Sequence, residues 1–142
     1  MYRVLLFLHV SCFALWMGAV AASMLVIRTL EPRLTNPERA AQDSNLLKSY
    51  IRNEVKLVDV AFFGVLLTGV ALAHFSLGWT LWTIVKLALY FVQFGATMFY
   101  IATFIKPLAY PCSPREYKRW YGLFATSFSL FFIVLVWTYF GR

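Results

Sequence analysis

Hydrophobic residues dominate four long stretches of the chain, and polar residues collect between them. The apolar stretches span residues 4–27, 55–75, 81–105 and 120–140. Each reaches the length of about 20 residues that a helix needs to cross the hydrocarbon core of a bilayer. The pattern predicts an all-α integral membrane protein with four transmembrane helices. The intervening segments, 28–54 and 106–119, are predicted to be loops, and residues 1–142 form one membrane domain.

The distribution of charge predicts how these helices are oriented. Ten of the thirteen lysines and arginines lie in or beside segments 28–54 and 106–119, whereas Arg3 and Arg142 are the only cations in the segments outside the spans on the other side. Positively charged loops stay in the cytoplasm. The chain is therefore predicted to form an antiparallel bundle with both termini outside. The basic cytoplasmic loops of a membrane protein account for the net charge of +7, so the charge does not require a nucleic-acid partner.

Small and polar residues add local detail to this arrangement. Segment 38–50 is predicted to form a short separate helix at the membrane interface, with Asn36 as its N-cap and Pro37 in its first turn. Ala14, Gly18 and Ala22 recur every four residues, a spacing that lets another helix approach closely. Gly64 and Thr68 repeat this spacing on the second span.

Three ionisable side chains fall at one depth in the predicted membrane. His9, His74 and Lys86 each lie near the outer end of a span, within a layer about 10 Å thick at 1.5 Å per residue. Ionisable groups inside a membrane usually face a partner, a cofactor or water. Each also has a simpler interpretation: Lys86 can extend toward the interface, His9 can be a hydrogen-bonded core residue, and His74 can be solvated.

A polar stripe follows Lys86 along the third span. Its members are spaced by four, three, four and three residues, which places them on one helical face: Lys86, Tyr90, Gln93, Thr97 and Tyr100. Such a stripe points into a bundle. Hydrogen bonding between helices explains it more often than a path for protons does.

The same layer is a candidate cofactor site. Imidazole binds haem iron and copper, so His9 and His74 are the candidate metal ligands. Lys86 could pair with a haem propionate, and aromatic side chains such as Trp16 and Tyr90 could form the walls for a porphyrin. Four-helix bundles commonly hold cofactors between facing helices. Copper alone is less well supported, because the four methionines form no cluster.

Several motifs resemble those of a superfamily of small bacterial membrane proteins that includes the HemJ-type protoporphyrinogen oxidases and the CopD-type copper-resistance proteins. The first helix carries Leu8-His9-Val10 and then Ala14-Leu15-Trp16-Met17-Gly18-Ala19. The third carries Trp82-Thr83-Ile84-Val85-Lys86-Leu87, and the fourth begins with Lys118-Arg119-Trp120-Tyr121. The third-helix motif resembles the HemJ branch, whereas Trp16-Met17-Gly18-Ala19 is nearer the CopD pattern.

The HemJ resemblance implies a haem-b-binding oxidoreductase of the bacterial cytoplasmic membrane, with His9 and Lys86 as its functional residues. Its reaction would oxidise protoporphyrinogen IX and pass the electrons to a quinone or another respiratory-chain acceptor. The CopD resemblance implies copper handling instead. A third hypothesis is a non-catalytic subunit of a respiratory or transport complex. The protein is expected to form a homo-oligomer or to join such a complex.

Overall fold

The computed structural model describes residues 1–141, and helices account for nearly all of them. The four α-helices are α1 (Tyr2–Leu34), α2 (Pro37–Leu72), α3 (Leu81–Tyr100) and α4 (Pro114–Phe140). A π-helical turn extends α2 over Ala73–Leu77, and another extends α3 over Ile101–Ile105. Four helices in this part of the chain are long and apolar enough to cross a membrane. The prediction of an all-α protein with four membrane-spanning helices is confirmed at that level.

The segment 28–54 is not a loop, so that prediction was wrong. Helix α1 continues to Leu34, and α2 begins only three residues later at Pro37. Asn36 caps α2 as predicted, because its side chain accepts a 2.9 Å hydrogen bond from the backbone N–H of Glu38. The helix that starts there is not separate, however. No proline or glycine interrupts residues 38–63, so it continues without a break into the second span.

The second predicted loop, 106–119, is also shorter than expected. Helix α4 begins at Pro114 with a capping box, in which Ser113 and Glu116 bond each other's backbone N–H groups. Two reciprocal bonds of this kind satisfy donors that the first helical turn leaves unpaired. Part of this segment is buried: Cys112 and Tyr117 pack in one core with Leu34 and Leu47.

The lengths of the helices explain why the core around Cys112 and Tyr117 forms. At 1.5 Å per residue, α1 is about 50 Å long, whereas the hydrocarbon core of a bilayer is about 30 Å thick. The end of the bundle where α1 meets α2 therefore has residues to spare, and they bury one another. Tyr117 donates a hydrogen bond to the carbonyl of Ile27, and Tyr121 donates one of 2.6 Å to Glu31. We call this the basic end, after the cations of segments 28–54 and 106–119.

An aromatic cluster fills the middle of the bundle. The ring of Trp16 meets Phe62, Tyr90 and Phe131 edge-on, with centroids 5.7, 5.5 and 4.9 Å away. Edge-on contacts of this kind are favourable beyond the area that they bury. The cluster joins all four helices through side chains.

The two small-residue stripes have different outcomes. Gly64 allows α1 and α2 to approach closely, since a Cβ placed there would lie 2.5 Å from Sγ of Cys12. Ala14, Gly18 and Ala22 are instead exposed, and a Cβ at Gly18 would meet nothing within 4 Å. At Gly18 the stripe on α1 therefore makes no close contact with another described helix, although Ala22 lines a small pocket with Tyr50 and Leu57 of α2. The close helix approach predicted for this stripe is not seen within residues 1–141.

Candidate functional site

A cavity of about 590 Å³ lies between the four helices at the end of the bundle where α2 turns into α3, which we call the turn end. Its lining is mainly aliphatic and aromatic. Residues from several successive turns of α2 and of α3 line it. These two helices contact each other deeper in the bundle, where Phe62 packs against Tyr90 and Phe94. Ligand pockets usually have volumes of about 300–1,000 Å³ and a few well-placed polar groups. The polar groups here include His9, Lys86 and Gln93.

The hydrogen bonds of His9 determine its tautomer. Its Nδ1 lies 3.1 Å from the carbonyl oxygen of Val65 and 3.0 Å from Oγ1 of Thr68. A carbonyl oxygen can only accept, so Nδ1 carries the proton. Thr68 agrees with this, because its own hydroxyl donates to the carbonyl of Gly64 at 2.5 Å. In the neutral ring, Nε2 is then the unprotonated nitrogen, available to a ligand.

Gly69 makes this placement of the ring possible. A Cβ at that position would lie 3.1 Å from Cε1 and 3.5 Å from Nδ1 of His9. Carbon atoms prefer separations of about 3.5–4.0 Å. The absence of a side chain at Gly69 therefore lets the imidazole rest directly on the backbone of α2.

Lys86 lines the same cavity and extends toward the turn end. Its Nζ lies 4.4 Å from the ring centroid of Trp82, one helical turn closer to that end. The Trp82 indole is itself held, because Trp82 and Trp137 each donate from Nε1 to the other's carbonyl, at 3.2 and 3.3 Å. Lys86 therefore extends toward the interface, as predicted, and also lines the cavity.

The rest of the polar stripe joins helices to one another. The hydroxyl of Tyr90 donates a 2.6 Å hydrogen bond to the carbonyl of Phe62 on α2, and Tyr100 donates one of 3.2 Å to the carbonyl of Arg119 on α4. These bonds favour the interpretation of the stripe as interhelical bonding. Tyr90 also lines the cavity, while Trp16 supports it from behind through the edge-on ring contact. Trp16 is not itself among the lining residues.

His74 does not join the site, so the prediction that it contributes a ligand there is not supported by its position. Its side chain is exposed, and its ring contacts Phe75 edge-on at a centroid distance of 4.8 Å. The neighbouring Ala73 does line the cavity, and one residue further along a helix turns the side chain by about 100°. Within residues 1–141, no three His, Cys, Asp or Glu side chains are grouped as a metal site.

Gln93 is the lining residue whose importance sequence reasoning missed. It belongs to the predicted stripe, but nothing in the spacing separates it from Thr97 or Tyr100. In the structure its side chain is 2% exposed and lines the cavity. Val65, Thr68 and Gly69 were missed as well, because their role comes from a contact between distant parts of the chain.

The cysteines are not part of the site. Cys112 is buried in the core at the basic end, and burial raises the pKa of its thiol. A buried thiol with a raised pKa is a weak nucleophile, since the thiolate is the reactive form. Cys12 lies on α1 against Gly64.

Comparison with known proteins adds no relative. No protein-family model, no curated protein and no solved structure matches the chain.

Proposed function

We propose that the chain is an antiparallel four-helix bundle of the bacterial cytoplasmic membrane, with both termini outside. The order of contacts between α1 and α2 supports this. His9 contacts Thr68, Ser23 lies 3.1 Å from the hydroxyl of Tyr50, and Arg33 pairs with Asp43 at 3.9 Å. As the residue number rises along α1, the residue number of its partner on α2 falls, as it must for two antiparallel helices. The cations at the basic end support a cytoplasmic location for that end, by the positive-inside rule.

Within this topology we propose a haem-b-binding redox protein similar to the HemJ-type protoporphyrinogen oxidases. One observation carries the proposal: Nδ1 of His9 donates to the Val65 carbonyl, so that Nε2 is the nitrogen left for a ligand of the cavity. Histidines that bind metals usually donate their other ring N–H to a carbonyl or carboxylate, which fixes the tautomer and the ring orientation. A satisfied core histidine needs no cavity beside it.

The other residues of the cavity fit a haem as well. Aromatic and aliphatic walls suit the faces of a porphyrin, and the volume lies within the range of ligand sites. The ammonium of Lys86 suits a propionate, because a charge-assisted hydrogen bond is stronger than a neutral one. Tyr90 lines the cavity, and the edge-on contact of Trp16 supports the Tyr90 ring.

In the proposed reaction, protoporphyrinogen IX loses six electrons and six protons and becomes protoporphyrin IX. Haem, when bound, would supply one-electron transfer; three quinone molecules, or an equivalent respiratory-chain acceptor, would take the six electrons, and the protons would pass to that acceptor or to water. The chain's own residues bind and orient the porphyrin in the cavity: Lys86 attracts its carboxylates, and the apolar walls exclude water.

The test is the absorption spectrum of protein purified from haem-replete cells. We expect a Soret band in the wild type and in His74→Ala, and its loss in His9→Ala. His74→Ala is the matched control, because that histidine lies outside the cavity. Colourless wild-type protein that contains copper would favour the CopD-like alternative. Colourless protein without metal would favour an accessory subunit, for which the exposed small-residue stripe on α1 offers a surface for another helix.

A further inference from the structure

We infer that Gln93 binds a neutral hydrogen-bonding group at the inner edge of the ligand, and so selects which ligand the cavity holds. The inference rests on the proposed function, since it assumes that the cavity binds a tetrapyrrole. Gln93 is 2% exposed and lines the cavity. No hydrogen bond joins its amide to the described residues 1–141, and every fully buried side-chain nitrogen or oxygen among them has a partner. The small exposed part of Gln93 is therefore its amide, which opens onto the cavity. Polar groups in protein interiors nearly always have a partner, and the cavity is where a partner for this amide can lie.

Helical spacing orders the polar groups along the cavity. Lys86 and Gln93 are seven residues apart on α3, which is about 10 Å along the helix axis. His9 contacts Val65, and Val65 is one turn closer to the turn end than Phe62, whose carbonyl accepts from Tyr90. Lys86 is likewise one turn closer to the turn end than Tyr90, so the His9 ring lies near the level of Lys86 and on the turn-end side of Gln93. From the turn end inward, the ammonium and the imidazole come first and the amide comes last.

This order describes the ligand. Its outer edge is anionic and its middle is flat and apolar. Its inner edge has a neutral acceptor or donor, because Lys86 is the one charged side chain among the described residues that line the cavity. In haem b, the edge opposite the propionates has vinyl and methyl groups, which offer no hydrogen bond. A tetrapyrrole with a carbonyl substituent at that edge would satisfy the amide of Gln93.

The test compares two probes in detergent-solubilised protein freed of pigment. One probe is haem b, and the other is the same iron porphyrin with acetyl groups in place of the vinyl groups. One additional net hydrogen bond is worth about a two- to tenfold increase in affinity. We expect the wild type to bind the acetyl probe more tightly by this factor. Gln93→Leu should abolish the preference, because it removes the amide that the acetyl group would bond.

A second measurement separates ligand recognition from a structural role. If the amide has no partner in the ligand-free protein, replacing it with an apolar group of similar shape leaves the thermal midpoint of that protein unchanged or raises it. Gln93→Met repeats the test with a closer match of shape. Thr97→Val is the control, because Thr97 lies one turn deeper on the same face and does not line the cavity.

Two results would overturn the inference. One is equal affinity of the wild type for the two probes. The other is a lower thermal midpoint of the ligand-free Gln93 variants with an equal loss of affinity for both probes, which would mean that Gln93 is structural. Failure of the wild type to bind either probe contradicts the proposed function itself, and so is distinct from both.

Discussion

Gly69→Ala is the change that tests the placement of His9 without altering any polar group. Its new Cβ would lie 3.1 Å from Cε1 of the imidazole. Carbon–carbon contacts prefer about 3.5–4.0 Å, so the ring has to move away from α2 by roughly 0.5 Å. The distances from Nδ1 to Val65 O and to Thr68 Oγ1, now 3.1 and 3.0 Å, would then reach about 3.5 Å. That lies beyond the usual range of about 2.7–3.2 Å.

The expected effects on stability and on binding are different. Loss of the His9 hydrogen bonds costs about 1 kcal/mol, and replacing glycine with alanine inside a helix recovers about 1 kcal/mol. The free energy of unfolding should therefore change by less than about 1 kcal/mol. Affinity for haem should fall by about 10- to 100-fold, the usual result of disturbing a residue that orients a metal ligand.

The assay is a haem titration followed by absorption, with thermal unfolding of the ligand-free protein measured in parallel. Gly18→Ala and Gly95→Ala are matched controls, because a Cβ at either position meets nothing within 4 Å. Both controls should keep the wild-type haem affinity. The reasoning is refuted if Gly69→Ala binds haem as tightly as they do, or if its loss of affinity simply follows a loss of folded protein.

Three further variants test the packing and the caps. Gly64→Ala should destabilise the protein by about 1–3 kcal/mol, because its Cβ would lie 2.5 Å from Sγ of Cys12; adding Cys12→Ala should restore most of the stability in thermal unfolding. Tyr90→Phe removes a 2.6 Å bond to the backbone of α2 and should cost about 1 kcal/mol by the same assay; an unchanged midpoint would contradict that bond. Hydrogen bonds from Ser113 lower the pKa of Glu116 from its ordinary value of 4.5. The capping box is therefore fully stabilising above pH 4.5 and is lost as the pH falls through the lower pKa of the folded state. The protection of amides at the start of α4, measured as hydrogen exchange relative to the intrinsic rate at each pH, should fall over that range in the wild type. Glu116→Gln should keep its protection and show no such dependence, because a glutamine at this position also accepts the capping-box hydrogen bond.

Local pattern was sufficient to predict some features and insufficient for others. Hydropathy located the four spans, and helical spacing placed Lys86 and Tyr90 on one face. The continuity of α2 through segment 38–50 was missed, since a charged segment between two spans reads as a loop when no partner for it is known. In the structure that segment buries Leu47 against the segment around Cys112.

The composition of the site shows the same limit. Depth along a helix placed His9 and His74 in one layer, but depth does not determine the direction of a side chain at the end of a span, where α2 changes to a π-helical turn. His74 consequently lies outside the cavity. The tautomer of His9 depends on a carbonyl 56 residues away in sequence, so no local motif could have indicated it.

The central claim is that His9 presents an unprotonated Nε2 to the cavity. Nitrogen NMR of ligand-free protein with ¹⁵N-labelled histidine tests it most directly, in the His74→Ala background where His9 is the remaining histidine. We expect a neutral ring with the proton on Nδ1, and a Gly69→Ala variant in which that preference weakens. A proton on Nε2, or an equal mixture of the two tautomers in the His74→Ala protein, would contradict the account.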